Sequence, residues 1–209
     1  MSRHVHTRVK ICGLRDAQTA RSVAEAGADA IGLVFYPPSP RNVSAEQAAE
    51  IVAALPAFVM SVGLFVNESP LVVSSVLAKV PLDLLQFHGD EDLAYCSQFG
   101  RPFIKAVRVK PDLNLLEYAQ LFVSPLCRGL LLDAWVDGVP GGTGHSFDWN
   151  DLPTEWPLPL ILSGGLHPDN VAEAIVQVQP WAVDVSSGVE VIKGVKDLQR
   201  VDAFIRAAI

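Results

Sequence analysis

A thiol at position 12 and a carboxylate at position 133 are the two groups of this sequence best placed to move protons. Cys12 ends the run Val9-Lys10-Ile11-Cys12, and Asp133 ends Gly129-Leu130-Leu131-Leu132-Asp133. If both runs are strands of one barrel, a ligand between them could be protonated on one side and deprotonated on the other. That suits an isomerisation with a separate general acid and general base. The acid role requires a neutral Asp133 when substrate is bound, hence an apolar pocket or a neighbouring negative charge. The base role requires a thiolate at Cys12, hence a depressed pKa. Both residues also have plainer readings. Cysteine is often buried simply for packing, the expectation for Cys96 and Cys127. An aspartate after three leucines can cap a loop or helix, and Asp137 is a competing acid. Lys10 is expected on the opposite strand face from Cys12.

Two small-residue turns suggest what the proton-moving pair would act on. LSGGLHPDN carries Gly164 and Gly165, and DVSSGVE carries Asp184, Ser186, Ser187 and Gly188. Glycines let backbone N–H groups approach an anion, and a following helix adds its positive end. One such turn is weak evidence, since tight turns after strands favour glycine anyway. Two in succession near the end of a barrel point to phosphate. Arg41, in PPSPRNVS, is either a surface arginine or a fork for a substrate carboxylate. His88, in QFHGDE, either hydrogen-bonds the ligand or is a satisfied rim histidine. GGTG at 141–144 reads as a loop able to close over substrate.

The elements that must position these groups are legible as a repeating pattern. Strand candidates are residues 9–12, 30–35, 59–65, 84–88, 103–107, 129–133, 160–164 and 182–187. Most are near-continuous apolar runs, as parallel strands buried on both faces require. Between them lie helix-period segments. One places Ala17, Ala20, Val23 and Ala24 on a stripe ahead of Gly27. Another opens with Ser44 and Gln47 spaced as a capping box. The crossover after strand six, FDWNDL, is short and is expected to lack a proper helix. Eight βα units predict an α/β fold, a compact single-domain (β/α)₈ TIM barrel over 8–209 behind a loose tail over 1–7. An open doubly wound sheet is the rival, but no GxGxxG follows the first strand.

Composition narrows the class. The chain has 209 residues, half of them hydrophobic, and a formal charge of −7. No basic run exists to track nucleic acid. Three cysteines without a CxxC pair argue against a disulfide framework or structural zinc and for a reducing compartment, the cytoplasm. Neither a signal segment nor a membrane span is expected.

These residues resemble the phosphoribosylanthranilate isomerase family. The matching stretches are VKICGLRD, GADAIGLVFYPPSPRNVS, VGLFVNE, LQFHGDE, IKAVRV, LLLDAWVDGVPGGTGHSFDW, LILSGGLHPDNVAEAI and AVDVSSGVE with KGVKD. They run in family order over almost the whole chain after residue 7, and together are highly specific. The resemblance implies a (β/α)₈ barrel and an Amadori rearrangement of N-(5-phosphoribosyl)anthranilate to 1-(2-carboxyphenylamino)-1-deoxyribulose 5-phosphate, in tryptophan biosynthesis. It implies no metal and no organic cofactor. By the match Cys12 falls on the general base, Asp133 on the general acid and Arg41 on the carboxylate contact. Gly165, Ser187 and Gly188 lie in the phosphate turns. The expected partner is a small phosphorylated substrate, with no nucleic acid or membrane, for a monomer or weak homodimer. Trp135, Asp137, His145 and Phe87 depart from the usual pattern. Rival readings are another phosphosugar barrel, which would need metal-binding histidines or a strand-end lysine (Lys105 being the one to check), a bifunctional isomerase, and a non-catalytic phosphate-ligand barrel.

Overall fold

In the computed structural model, the described residues are 6–110, 112–134, 149 and 152–209. Eight parallel strands close into a barrel in chain order: β1 (Arg8–Cys12), β2 (Ala30–Phe35), β3 (Met60–Phe65), β4 (Leu84–Phe87), β5 (Phe103–Val109), β6 (Cys127–Ala134), β7 (Leu160–Leu162) and β8 (Ala182–Val185). β8 pairs back onto β1, from Arg8 opposite Ala182 to Ile11 opposite Val185. The apolar runs follow from this closure. Val9, Ile11, Ile31, Leu33, Phe87 and Val183 face outward into the layer under the helices. Ile104, Ala106, Leu131, Ile161 and Ala182 form a separate cluster inside the barrel. Both strand faces are therefore buried, as the sequence pattern requires.

The helices start where their caps place them. α1 (Ala17–Glu25) begins at Asp16, whose carboxylate accepts from Thr19 N at 2.8 Å, and Gly27 takes a φ of +107° just beyond its end. α2 (Ala45–Ala53) carries the reciprocal capping box of Ser44 and Gln47. It is followed by α3 (Pro70–Lys79), α4 (Leu93–Ser97), α5 (Leu115–Gln120), α6 (Val171–Val178) and α7 (Leu198–Ala208). β5 runs two residues past its predicted end, which brings Arg108 alongside Asp133 of β6. After β8 a short 3₁₀ turn leads into an antiparallel hairpin, β9 (Glu190–Ile192) and β10 (Val195–Lys196), which the eight-unit pattern does not contain. Most of the expected tail, Trp135, Asp137, His145, the GGTG segment and most of the crossover after β6 lie outside the described residues. No described helix is long and apolar enough to cross a membrane.

Candidate active site

Alternation along each strand decides which side chains reach the barrel mouth. With Val9 and Ile11 outward, Lys10 and Cys12 both point inward. The expectation that Lys10 faces away from Cys12 is thus overturned, because residues two apart on a strand share a face. Lys10 Nζ donates to Asp184 Oδ1 at 2.6 Å, and Ser163 Oγ donates to Asp184 Oδ2 at 3.1 Å. Both members of the Lys10–Asp184 pair are buried. Asp184, below the two small-residue turns, is thus bonded to protein groups of β1 and the β7 end.

Cys12 is buried beside Gly32 of β2, its register partner. A Cβ at Gly32 would come within 2.6 Å of Cys12 Sγ, so the thiol occupies the space a side chain there would fill. Burial pushes the Cys12 thiol above its ordinary value; Lys10 and Lys196 pull it down and Asp184 pushes it up. The direction is opposite to the depressed pKa expected of a base.

Asp133, also buried, sits inward at the end of β6. His88, just past β4, brings Nε2 to 3.1 Å from Asp133 Oδ2, while Gln86 Nε2 lies 3.0 Å from His88 Nδ1. His88 thus pairs with the candidate acid. Its loop is held from outside the barrel. Glu91 accepts from Asn67 N, Gly89 N and Lys105 Nζ at 2.6, 2.8 and 3.0 Å, and Lys105 also donates to Gly89 O at 2.6 Å. Lys105 is fully buried on the helix side of β5, away from the mouth.

The two small-residue turns meet. Gly164 and Gly165 have φ of +82° and +69°, and a Cβ at Gly188 would come within 1.9 Å of Leu166 O. Only glycine permits that approach at 188, where turn eight lies on turn seven. Ser186 Oγ donates to Cys12 O at 3.1 Å and so ties turn eight to β1. β7 and β8 lie between β6 and β1 in the closed ring, so these turns occupy the rim between Asp133 and Cys12.

Arg41 follows β2 and does not stand free. Its Nε and Nη2 each donate at 2.7 Å to Glu190, on Oε1 and Oε2. Lys196 Nζ donates to Glu190 Oε1 at 2.8 Å and to Ser186 O at 2.9 Å. Burial alone would raise the Glu190 carboxyl, but Arg41 and Lys196 outweigh it and hold it below its ordinary value. The sequence reading missed Lys10, Gln86, Glu190 and Lys196 as parts of the site. The first two were findable from strand parity; the last two stand on a hairpin outside the repeat. Cys96 and Cys127 are buried away from the mouth, as packing residues.

Comparison with known proteins agrees with this geometry. The family model described as N-(5'phosphoribosyl)anthranilate (PRA) isomerase matches residues 9–207. The N-(5'-phosphoribosyl)anthranilate isomerase of Alcanivorax borkumensis is 55% identical over 207 residues, covering 96% of this chain and 94% of that protein. The crystal structure of phosphoribosyl anthranilate isomerase from Thermotoga maritima superposes with a TM-score of 0.86 at 41% identity, covering 97% of this chain and 98% of that one. A structure of the isomerase in complex with reduced 1-(o-carboxyphenylamino)-1-deoxyribulose 5-phosphate covers the same shares, with a TM-score of 0.79 at 39% identity. With a family match over nearly its whole length and the same closed barrel, the chain belongs to the N-(5'-phosphoribosyl)anthranilate isomerase family.

Proposed function

We propose that the protein isomerises N-(5'-phosphoribosyl)anthranilate to 1-(2-carboxyphenylamino)-1-deoxyribulose 5-phosphate, with Asp133 as general acid and Cys12 as general base. The isomerase activity follows from family membership. The assignment of roles rests on one observation: a buried thiol and a buried carboxylate face inward at the ends of β1 and β6, with two glycine turns on the rim between them.

In this reading the phosphate sits against the backbone of Gly164, Gly165, Ser187 and Gly188, where N–H donors bind an anion without a lysine. Arg41 takes the anthranilate carboxylate. Asp184 contributes through Lys10 and Ser163 rather than by meeting the ligand. Asp133 gives its proton to the ribose ring oxygen as the C1–O bond breaks, and the nitrogen lone pair forms the cationic Schiff base. The ligand's own negative charges favour the protonated form of Asp133, and His88 Nε2, 3.1 Å from Asp133 Oδ2, orients the carboxyl. The cation acidifies C2–H, and Cys12 takes that proton to leave the enolamine. Protonation at C1 and loss of the C2 hydroxyl proton complete the ketone. The burial that raises the Cys12 thiol also makes its thiolate a stronger base once formed.

The test is turnover of phosphoribosylanthranilate, generated in place, by the wild type, Cys12→Ser and Asp133→Asn, with folding checked by circular dichroism. Losses of about 10²–10⁴-fold in kcat are expected in each variant. Folded wild type without turnover would sink the activity. Turnover that survives Cys12→Ser would remove the cysteine from the mechanism and keep the enzyme.

A further inference from the structure

We propose that Glu190, held by Lys196, is a positioning residue that sets the angle at which Arg41 meets the ligand carboxylate and ties that grip to the phosphate turn. The inference rests on the reading of Arg41 as the carboxylate fork. It comes from a continuous chain of contacts. Glu190 takes two edges of the Arg41 guanidinium, Nε and Nη2, at 2.7 Å each. Among the described residues none accepts from Nη1. A bidentate pair fixes the guanidinium plane as well as its place, so Nη1 is the amine presented to a ligand.

Glu190 itself cannot swing aside. Its side chain is 3% exposed, and Lys196, 1% exposed, holds Oε1 at 2.8 Å. Arg200 Nη1 donates to the Glu190 carbonyl at 2.8 Å and fixes its backbone. Lys196 also reaches Ser186, donating to O at 2.9 Å and Oγ at 3.3 Å, and Ser186 Oγ continues to Cys12 O at 3.1 Å. The β9–β10 hairpin thus inserts one anion and one cation beneath the rim, and through them the residues for carboxylate, phosphate and proton transfer share one frame. Two cations and one anion leave the trio with a net positive charge beside Cys12, which suits an anionic ligand. A competing carboxylate that must leave before substrate binds would not be locked by a buried lysine.

The experiment measures binding of two ligands by calorimetry: the reduced product analogue and its counterpart lacking the ring carboxylate. Wild type is expected to prefer the carboxylate-bearing ligand by at least about tenfold, as a charge-assisted pair provides. Glu190→Gln should cut that preference to about threefold or less, while the Kd for the ligand without carboxylate stays within about twofold. Glu190→Asp, which keeps the charge, should retain more of the preference than Glu190→Gln. Misfolded protein lowers the binding capacity for both ligands alike and leaves their ratio unchanged. A preference that is unchanged in Glu190→Gln, a preference that rises, or equal weakening of both ligands would each overturn the inference. No preference in wild type, with none lost in Arg41→Met, would instead refute the carboxylate reading of Arg41, and the inference with it.

Discussion

Cys12 shows how much of the site turns on one cross-strand neighbour. Its thiol fits because position 32 has no side chain; the Cβ of an alanine there would lie 2.6 Å from Sγ and 3.0 Å from the Cys12 Cα. The thiol or the strand must shift to admit it. Gly32→Ala is therefore expected to cost about 1–3 kcal/mol of stability as an overpacked core. It should also lower kcat by at least about tenfold, since misplacing a reacting group by a fraction of an ångström is felt strongly in rate. Thermal melts and steady-state kinetics on the same preparation check both. An unchanged kcat would mean that the thiol tolerates displacement, which a positioned base would not. Which residues flank Cys12 is a matter of register, with Cys12 opposite Gly32. Neither strand alone reveals it, whereas the inward direction of Lys10 follows from counting by two.

At the scale of elements, the loop after β4 is stapled from both sides. Glu91 gathers the backbone of the β3 and β4 loops and the Lys105 ammonium, all at 3.0 Å or less. Lys105 is fully buried, and Glu91 nearly so. Lys105→Met removes the cation and strands a buried carboxylate. Breaking such a pair typically costs about 3–5 kcal/mol, and the urea midpoint should fall accordingly. A loss below about 1 kcal/mol, the range of exposed pairs, would show that Glu91 is already satisfied by its two backbone donors. The sequence left Lys105 open as a strand-end catalytic lysine. The structure explains it as a clamp on the loop that carries His88. Phe87, a departure from the family pattern, lies on the outward face of β4 with its ring 5.8 Å from those of Phe99 and Phe103, so it packs the helix layer rather than the pocket.

For the whole molecule, the buried thiols tie stability to pH. Burial pushes Cys96 up to about 12, and Cys12 and Cys127 also above their ordinary values. An unfolded thiol titrates near about 8.5. Above that pH the unfolded chain releases protons the folded chain still holds, so stability is fully present below it and falls as pH rises. Each thiol contributes a slope of about 1.4 kcal/mol per pH unit until its folded value is reached. Urea midpoints should therefore drop steeply between about pH 8.5 and 10.5, and Cys96→Val should flatten the slope. Midpoints that stay level over that range would show that the thiols ionise as readily folded as unfolded.

The sequence by itself determined the barrel and which polar groups stand at the ends of its strands. Eight apolar runs separated by capped helical segments can bury both strand faces in few other ways, and strand ends mark the mouth wherever the ring closes. Cys12, Asp133, His88 and the two glycine turns were legible for that reason. Tertiary structure alone decided what each of them touches. Lys10 meets Asp184 from 174 residues away, and Arg41 meets Glu190 from 149. His88 reaches Asp133 across 45 residues. These partners are set by ring closure, strand register and a hairpin outside the repeat. Periodicity reports only local burial, and it carries no information on which two distant charges the closing of the barrel will bring into contact.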